Sequence, residues 1–484
     1  MIKENITALV EELNDKRPDT VPATLVPTPT AEYRAIRKLM RSAVATALPP
    51  QPVPGIPIPA ITLTGPRVLI WKQDPTVGEI GIRKAFLPGL VSTGPKDARI
   101  DVAIQGMPPI TANALGDFIQ VPLTNEFDAV HTFAIVRETL TLHQRALAAG
   151  GVPAPIPWQW NGPGNTDPIR VFPHQSQMMN AFYQRTSKSL SFGFFAKPGA
   201  PPNAPLIFTC RSLDIVSHET GHAILDGLKP SWITSGNTPQ TGALHEAFGD
   251  LTAIFLGLSQ FDQVEAIIAQ TKANLHDKTF LSDLAEEFGL ALGRPNGLRN
   301  ADNDLKLSQV SNEVHALSQV FTGAIYDVLA DIFSFERRPA VRDDAVVLHD
   351  SAAYLHSLLL RAIIQAPGQN ATFADVANKM LVIANQDGKP INYRNFIRNR
   401  FTVREVVVSP VPLTQDHQAG IELQVAPYAF HNAPQNRLGC CGTMTLAENN
   451  GVDEKISEEL EEFRSSLEKE LEARKKGARD KSKV

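Results

Sequence analysis

Three cysteines in 484 residues exclude a fold built on disulfides. Cys210, Cys440 and Cys441 form no C-x-x-C pair, and the adjacent Cys440 and Cys441 would make a strained bridge. Charge of one sign is lacking too. The 46 Lys and Arg against 51 Asp and Glu leave a net charge of −5, too mild to mark a nucleic-acid partner. No apolar run approaches the roughly 18 residues that span a bilayer, so no membrane partner is expected. Residues Met1 to Asn5 lead into a charged amphipathic stretch without the apolar centre of a signal peptide. These absences give a cytoplasmic expectation, with export by a route not written in the N-terminus as the alternative. What is there is 43% hydrophobic and 20% charged, a globular composition long enough for one large core or two to three domains.

Patterning divides the chain. Residues 1–60 read as a helical, proline-rich arm: Ile2, Ile6, Leu9, Val10 and Leu13 share a helical face, Pro18 ends it, and a semi-rigid linker runs from Pro49 to Pro59. Residues 61–225 read as a β-rich segment ending in a helix, with short runs such as Val68–Trp71 and Ile100–Ile104 and a helix over 129–147. From 226 to 408 the reading is helical, over 243–258, 263–273, 281–292, 313–333, 351–365, 372–385 and 393–401. Residues 409–452 are irregular. In 453–484, Ile456, Leu460, Phe463, Leu467 and Leu471 form an apolar stripe, and self-association through this tail would stabilise an otherwise marginal helix.

Chemistry concentrates at His218-Glu219-Thr220-Gly221-His222. This H-E-x-x-H puts two imidazoles one turn apart on one helix face, where both can reach one Zn²⁺ at about 2.0–2.1 Å. Glu219, a quarter-turn aside, stands where a general base for an activated water belongs. The bland alternative is a polar core helix with satisfied side chains. It must explain three buried polar groups at once, flanked by Leu213, Ile215, Val216, Ala223, Ile224 and Leu225. A catalytic zinc needs a third protein ligand. The helix after the turn segment 229–242 carries Glu246 and Asp250 one turn apart. Glu246 can complete a His₂Glu set, and Asp250 can accept the second N–H of a ligating histidine. His245 is a rival ligand. It points about 100° away from Glu246 and reads as a neighbour of the site or a surface residue.

With these residues in place, the chain resembles the thermolysin-like metallopeptidases, the gluzincins. The resemblance implies an α+β fold of two lobes, β-rich at the N-terminal side and mainly helical at the C-terminal side, with the zinc site in the cleft between them. It implies His218, His222 and Glu246 as ligands of one zinc, Glu219 as the catalytic glutamate and Asp250 as the carboxylate behind a ligand. Asn180-Ala181-Phe182-Tyr183 is similar to the family's edge strand, which implies Asn180 and Ala181 as backbone contacts of a protein or peptide substrate. His315 matches the histidine that donates to the oxyanion, with Glu313 or Asn312 as its acidic support, and Ile215 would line the pocket after the cleaved bond.

Two departures stand out. The family places a tyrosine between the motif and the glutamate ligand, whereas Trp232 and Ile233 fall near that place here. Loss of one oxyanion donor costs on the order of 10²–10³ in rate. The family's calcium pair is also incomplete: Asp214 matches one ligand, but Gly257 stands where its partner belongs, so Asp214 reads as a helix-terminus residue and Ca²⁺ is not expected. The sequence reading is therefore a zinc metalloendopeptidase. Its alternatives are a catalytically weak or inactive protein of the same fold that binds peptides, and an aminopeptidase. The last would need an acidic cluster near Asn180, and none is present there.

Overall fold

A computed structural model describes residues 65–77, 81–152, 155–234, 236–293 and 297–407. The chain divides into Met1–Thr62 and Leu63–Val484, and every described residue lies in the second unit. The arm over 1–60, the irregular stretch 409–452 and the amphipathic tail 453–484 lie outside the described residues.

The described part is α+β. Alternation of buried and exposed positions makes β1 (Arg67–Trp71) a half-buried strand, with Val68 and Ile70 inward, paired antiparallel with β2 (Ile82–Phe86). β3 (Ile100–Val102) leads to α1 (Asn125–Ala149). This helix starts four residues before its expected beginning because the Thr124 hydroxyl accepts from Phe127 N–H at 3.2 Å, with Glu126 and Asp128 in the first turn.

Three strands follow: β4 (Ile169–Phe172), β5 (Ala181–Gln184) and β6 (Ser189–Phe192). They join β3 in a four-stranded sheet of order β3-β4-β6-β5. β3, β4 and β6 are parallel, and β5 runs antiparallel along the edge. The interior strand β6 is buried at every residue, as a strand covered on both faces must be. A small pair, β7 (Phe194–Ala196) with β8 (Leu206–Phe208), delivers the chain to the helical half.

α2 (Leu213–Leu228) carries the H-E-x-x-H motif and packs on α3 (Pro239–Leu258). α3 begins at Pro239, ahead of the expected 243, because proline suits a first helical position whose N–H has no acceptor. All twenty of its residues are buried, so it is a core helix without a solvent face. α4 (Phe261–Thr271) follows after a bend of 91°.

The single helix expected over 281–292 is corrected. β9 (Asp283–Leu284) pairs with β10 (Arg299–Asn300), Ala285 turns left-handed at φ 53°, and only α5 (Glu286–Ala291) is helical. The cause is tertiary: Asn300 Nδ2 donates to the Asp283 carboxylate, and Asp214 accepts the Ala285 N–H at 3.1 Å. α6 (Val314–Glu336), α8 (Phe373–Gln386) and α9 (Ile391–Val403) lie close to their expected spans, whereas α7 (Asp344–Gln365) starts seven residues before the expected 351, where Asp343 caps it by accepting from Ala345 N–H. One continuous apolar core, from Val68 to Val407, joins sheet and helices.

Candidate metal and catalytic site

α2 is fixed before its chemistry begins. Ser212 caps it, its hydroxyl accepting from Ile215 N–H at 3.4 Å, and Asp214 lies in the first turn. Asp214 does more than the expected helix-end role: by accepting from Ala285 it ties the β9–α5 turn to the motif helix. Its carboxyl is pushed up to about 7 by burial, with Asp74 and Asp250 adding repulsion.

Glycine sets the distance between α2 and α3. Gly221, inside the motif, comes against Thr252 and Gly249 Cα, and a Cβ on Gly249 would stand 2.6 Å from His218 Nδ1. At Gly249 only hydrogen leaves room for the His218 ring, and at Gly221 a Cβ would fit only tightly, 3.0 Å from Thr252 Oγ1, so the two glycines let the motif helix and the Glu246 helix approach closely.

The expected ligand set converges. His218 Nε2 lies 3.5 Å from Glu246 Oε2, and His222 Nε2 lies 3.6 Å from Glu246 Oε1. The two imidazoles stand nearly perpendicular, their centroids 4.7 Å apart. These separations exceed hydrogen bonds. They fit a tetrahedral ion, since bonds of about 2.0–2.1 Å put neighbouring donor atoms about 3.3 Å apart. His222 Nε2 and both Glu246 oxygens are buried and accept or donate no hydrogen bond among the described residues. Buried polar atoms left in that state demand a partner, and a cation shared by all three would satisfy them together.

Glu219 is also near both imidazoles, one of its oxygens falling within 4.8 Å of their ring nitrogens. Its Oε2, however, accepts the Tyr183 backbone N–H at 3.0 Å. That bond distinguishes the two carboxylates: Glu246 faces the donors, and Glu219 is oriented by the edge strand.

The electrostatics follow from burial and close pairing. Burial alone would lower His218, but the Asp250 and Glu246 carboxylates prevail and push it up to about 10. Asp250 resists its own burial and is held down at about 2, chiefly by Arg299 and then by His218. Glu246 lies well below the usual carboxylate range in spite of burial, because His315 and His222 flank it. His222 is held well below the ordinary imidazole value by burial.

Asp250 sits where the sequence suggested, accepting from His218 Nδ1 at 2.9 Å. Its other partner was not legible: Arg299, on β10, donates to the same carboxylate at 2.6 and 2.9 Å. The sequence gives no spacing that joins positions 250 and 299, and the link exists only through the folded β9–β10 pair.

His315 arrives from the start of α6, its Nε2 3.3 Å from Glu246 Oε2. Between the two acidic-support candidates the choice is now clear, since Glu313 meets His315 Nδ1 and also caps α6 by accepting from His315 N–H and Ala316 N–H at 3.0 and 2.9 Å. Trp232 and Ile233, near the expected tyrosine position, are both buried, and the Trp232 indole N–H goes to Pro367 O at 2.9 Å. Neither replaces the missing hydroxyl.

On the edge strand, Asn180 O accepts from Gly193 N–H, so the backbone of Ala181 and Tyr183 faces the other way, towards α2. The Ala181 N–H is taken by Asn180 Oδ1 at 2.9 Å and the Tyr183 N–H by Glu219. Beside them opens a small apolar pocket whose lining includes Met179, Ala181, Ile215, Phe288 and Leu298. Ile215 stands in the wall of this pocket. His245 is corrected as a surface candidate: it is wholly buried, with Nδ1 2.7 Å from His222 Nδ1.

The chain matches no protein-family model, and a search of curated proteins returns no match either.

Proposed function

We propose that this protein is a zinc-dependent metalloendopeptidase with the two-lobed arrangement of the thermolysin-like enzymes. One observation carries the reading: His222 Nε2 and both oxygens of Glu246 are buried without hydrogen-bond partners, at spacings that suit a tetrahedral cation also reached by His218. The donor set of two imidazoles and one carboxylate suits zinc, with an open position left for water or substrate. Zinc held there would supply Lewis-acid polarisation of a scissile carbonyl and of a water.

The chain's own residues supply the rest. Glu219, steadied by the Tyr183 N–H, takes a proton from the attacking water and passes it to the leaving amine. His315 keeps Nδ1 on Glu313 and turns Nε2 towards Glu246, a position from which it would donate to the developing oxyanion. The outward Ala181 carbonyl and the Asn180 side chain hold an extended backbone by strand addition, and the apolar pocket at Ile215 receives the side chain beyond the cleaved bond.

The direct experiment pairs metal analysis with cleavage of an unfolded protein before and after chelation, in the parent chain and in Glu219→Gln. The variant should keep about one zinc per chain and lose at least 10²-fold in cleavage rate. Unchanged turnover in Glu219→Gln would sink the mechanism. The buried Trp232 at the expected tyrosine position favours one second reading, a peptide-binding protein of this fold with little turnover. Bound zinc with no cleavage across a broad peptide pool would select it.

A further inference from the structure

We infer that His245 is a positioning residue for the metal site, accepting the Nδ1 proton of His222 and so fixing which nitrogen of that imidazole faces the ion. The inference rests on the zinc reading above and adds to it a residue that the motif does not contain.

The contact geometry is specific. The two Nδ1 atoms are 2.7 Å apart, the ring centroids 4.8 Å apart, and the planes are inclined by only 27°. An imidazole nitrogen lies about 1.1 Å from its ring centre, so a nitrogen contact at this separation between stacked rings would bring the centroids much closer. The rings instead meet edge to edge, nearly coplanar, with the two nitrogens pointing at each other. That arrangement holds one proton and one lone pair.

Proton counting assigns the direction. A histidine that ligates through Nε2 presents a lone pair there and carries its proton on Nδ1. His222 must then donate and His245 Nδ1 must accept, which puts the His245 proton on its own Nε2. That atom is buried and has no partner among the described residues. The residue is wholly buried and cannot swing away to water. Its place in the sequence explains the fit: adjacent positions on α3 point about 100° apart, so one turn delivers Glu246 as a ligand and His245 as the acceptor behind another ligand.

The two ligands are therefore held differently. His218 donates to the anionic Asp250, whereas His222 donates to a neutral imidazole. A neutral acceptor orients the ring without adding a charge beside the buried Glu246.

The test uses the full chain and zinc alone, with affinity read by competition against a chromophoric chelator. In His245→Asn the amide oxygen takes the place of Nδ1 and still accepts. In His245→Leu the volume is kept and the acceptor is lost. The Leu variant should bind zinc about 10–100-fold more weakly, and the Asn variant should recover most of the loss. Equal affinity in the parent and a folded Leu variant would overturn the inference while leaving the zinc reading intact. Absence of zinc binding by the parent chain would instead overturn both.

A second measurement needs no variant to fold. In the zinc-loaded parent labelled with ¹⁵N-histidine, one downfield imidazole proton should couple across its hydrogen bond to a second ring nitrogen. If each imidazole N–H couples only to its own ring, the assigned bond does not exist and the inference fails.

Discussion

Gly249 lies so close to His218 that a methyl group on it would stand 2.6 Å from Nδ1 and 2.7 Å from Cε1 of the imidazole. The contact opposes two ordinary expectations. By helix propensity, Gly249→Ala should stabilise α3 by about 1 kcal/mol. By packing, it should push the imidazole away from Asp250 and cost about 1–3 kcal/mol. Packing wins, because the neighbour is a buried ring gripped by a carboxylate and has nowhere to retreat. Gly249→Ala should therefore lower the thermal midpoint of the metal-free protein and weaken zinc binding at least tenfold. Calorimetry and chelator competition read the two effects separately, and a rise in midpoint would refute the steric argument.

Glu313 does two things at once, capping α6 and holding His315. Removing the side chain in Glu313→Ala should cost about 0.5–2 kcal/mol through the cap. Glu313→Gln keeps an oxygen for the backbone but withdraws the charge behind the imidazole. Under the proposed mechanism its kcat on a peptide substrate should fall about tenfold with KM little changed, since His315 would then act on the transition state. A change confined to KM would assign Glu313 to substrate binding instead.

A third prediction concerns acid stability. His143 and His356 meet edge to face in the core, with centroids 4.7 Å apart, against Phe248 and Phe255. Burial lowers His143 to about 4 and His356 well below 6.5. Between those values and the ordinary 6.5, the unfolded chain binds protons that the folded chain refuses, so this pair's contribution falls as pH drops below about 6.5. Glu138, Asp214 and Glu287, each pushed up to about 7 mainly by burial, act with the opposite sign over pH 4–7. The histidine effect is therefore best read as a difference. His356→Phe should lose less thermal stability than the parent between pH 7.5 and pH 5, and parallel losses would show that His356 does not titrate on unfolding.

The motif, Glu246 and Asp250 were legible because helical spacing puts each pair on one face of its helix, and the need for a third ligand together with the family resemblance joined the two faces. The helices of the second half were legible from the same spacing, and their starts moved most where a cap such as Asp343 or a first-turn proline such as Pro239 decided the boundary. Arg299 was not legible, because its partner is 49 residues away through a strand pair that periodicity cannot detect. The 281–292 segment failed for a related reason: its apolar pattern suits a helix, but Asp214 and Asn300, both remote in sequence, hold it as strand and turn. Gly249 did carry a signal. A glycine between two chemically important helix positions is costly, and it marks a close approach when it is kept there.

Tyr183 touches the motif helix twice, through its backbone N–H to Glu219 and through its hydroxyl to Asp226 at 2.7 Å, where Arg185 also donates. Positions 219 and 226 are seven residues apart, two turns or about 10 Å along the helix. Two anchors so spaced stop the strand from either sliding along α2 or swivelling on it. The strand that would receive a peptide and the carboxylate that would act on it thus behave as one rigid body. Their mutual order is established when the chain folds, so a bound peptide would lose only its own freedom.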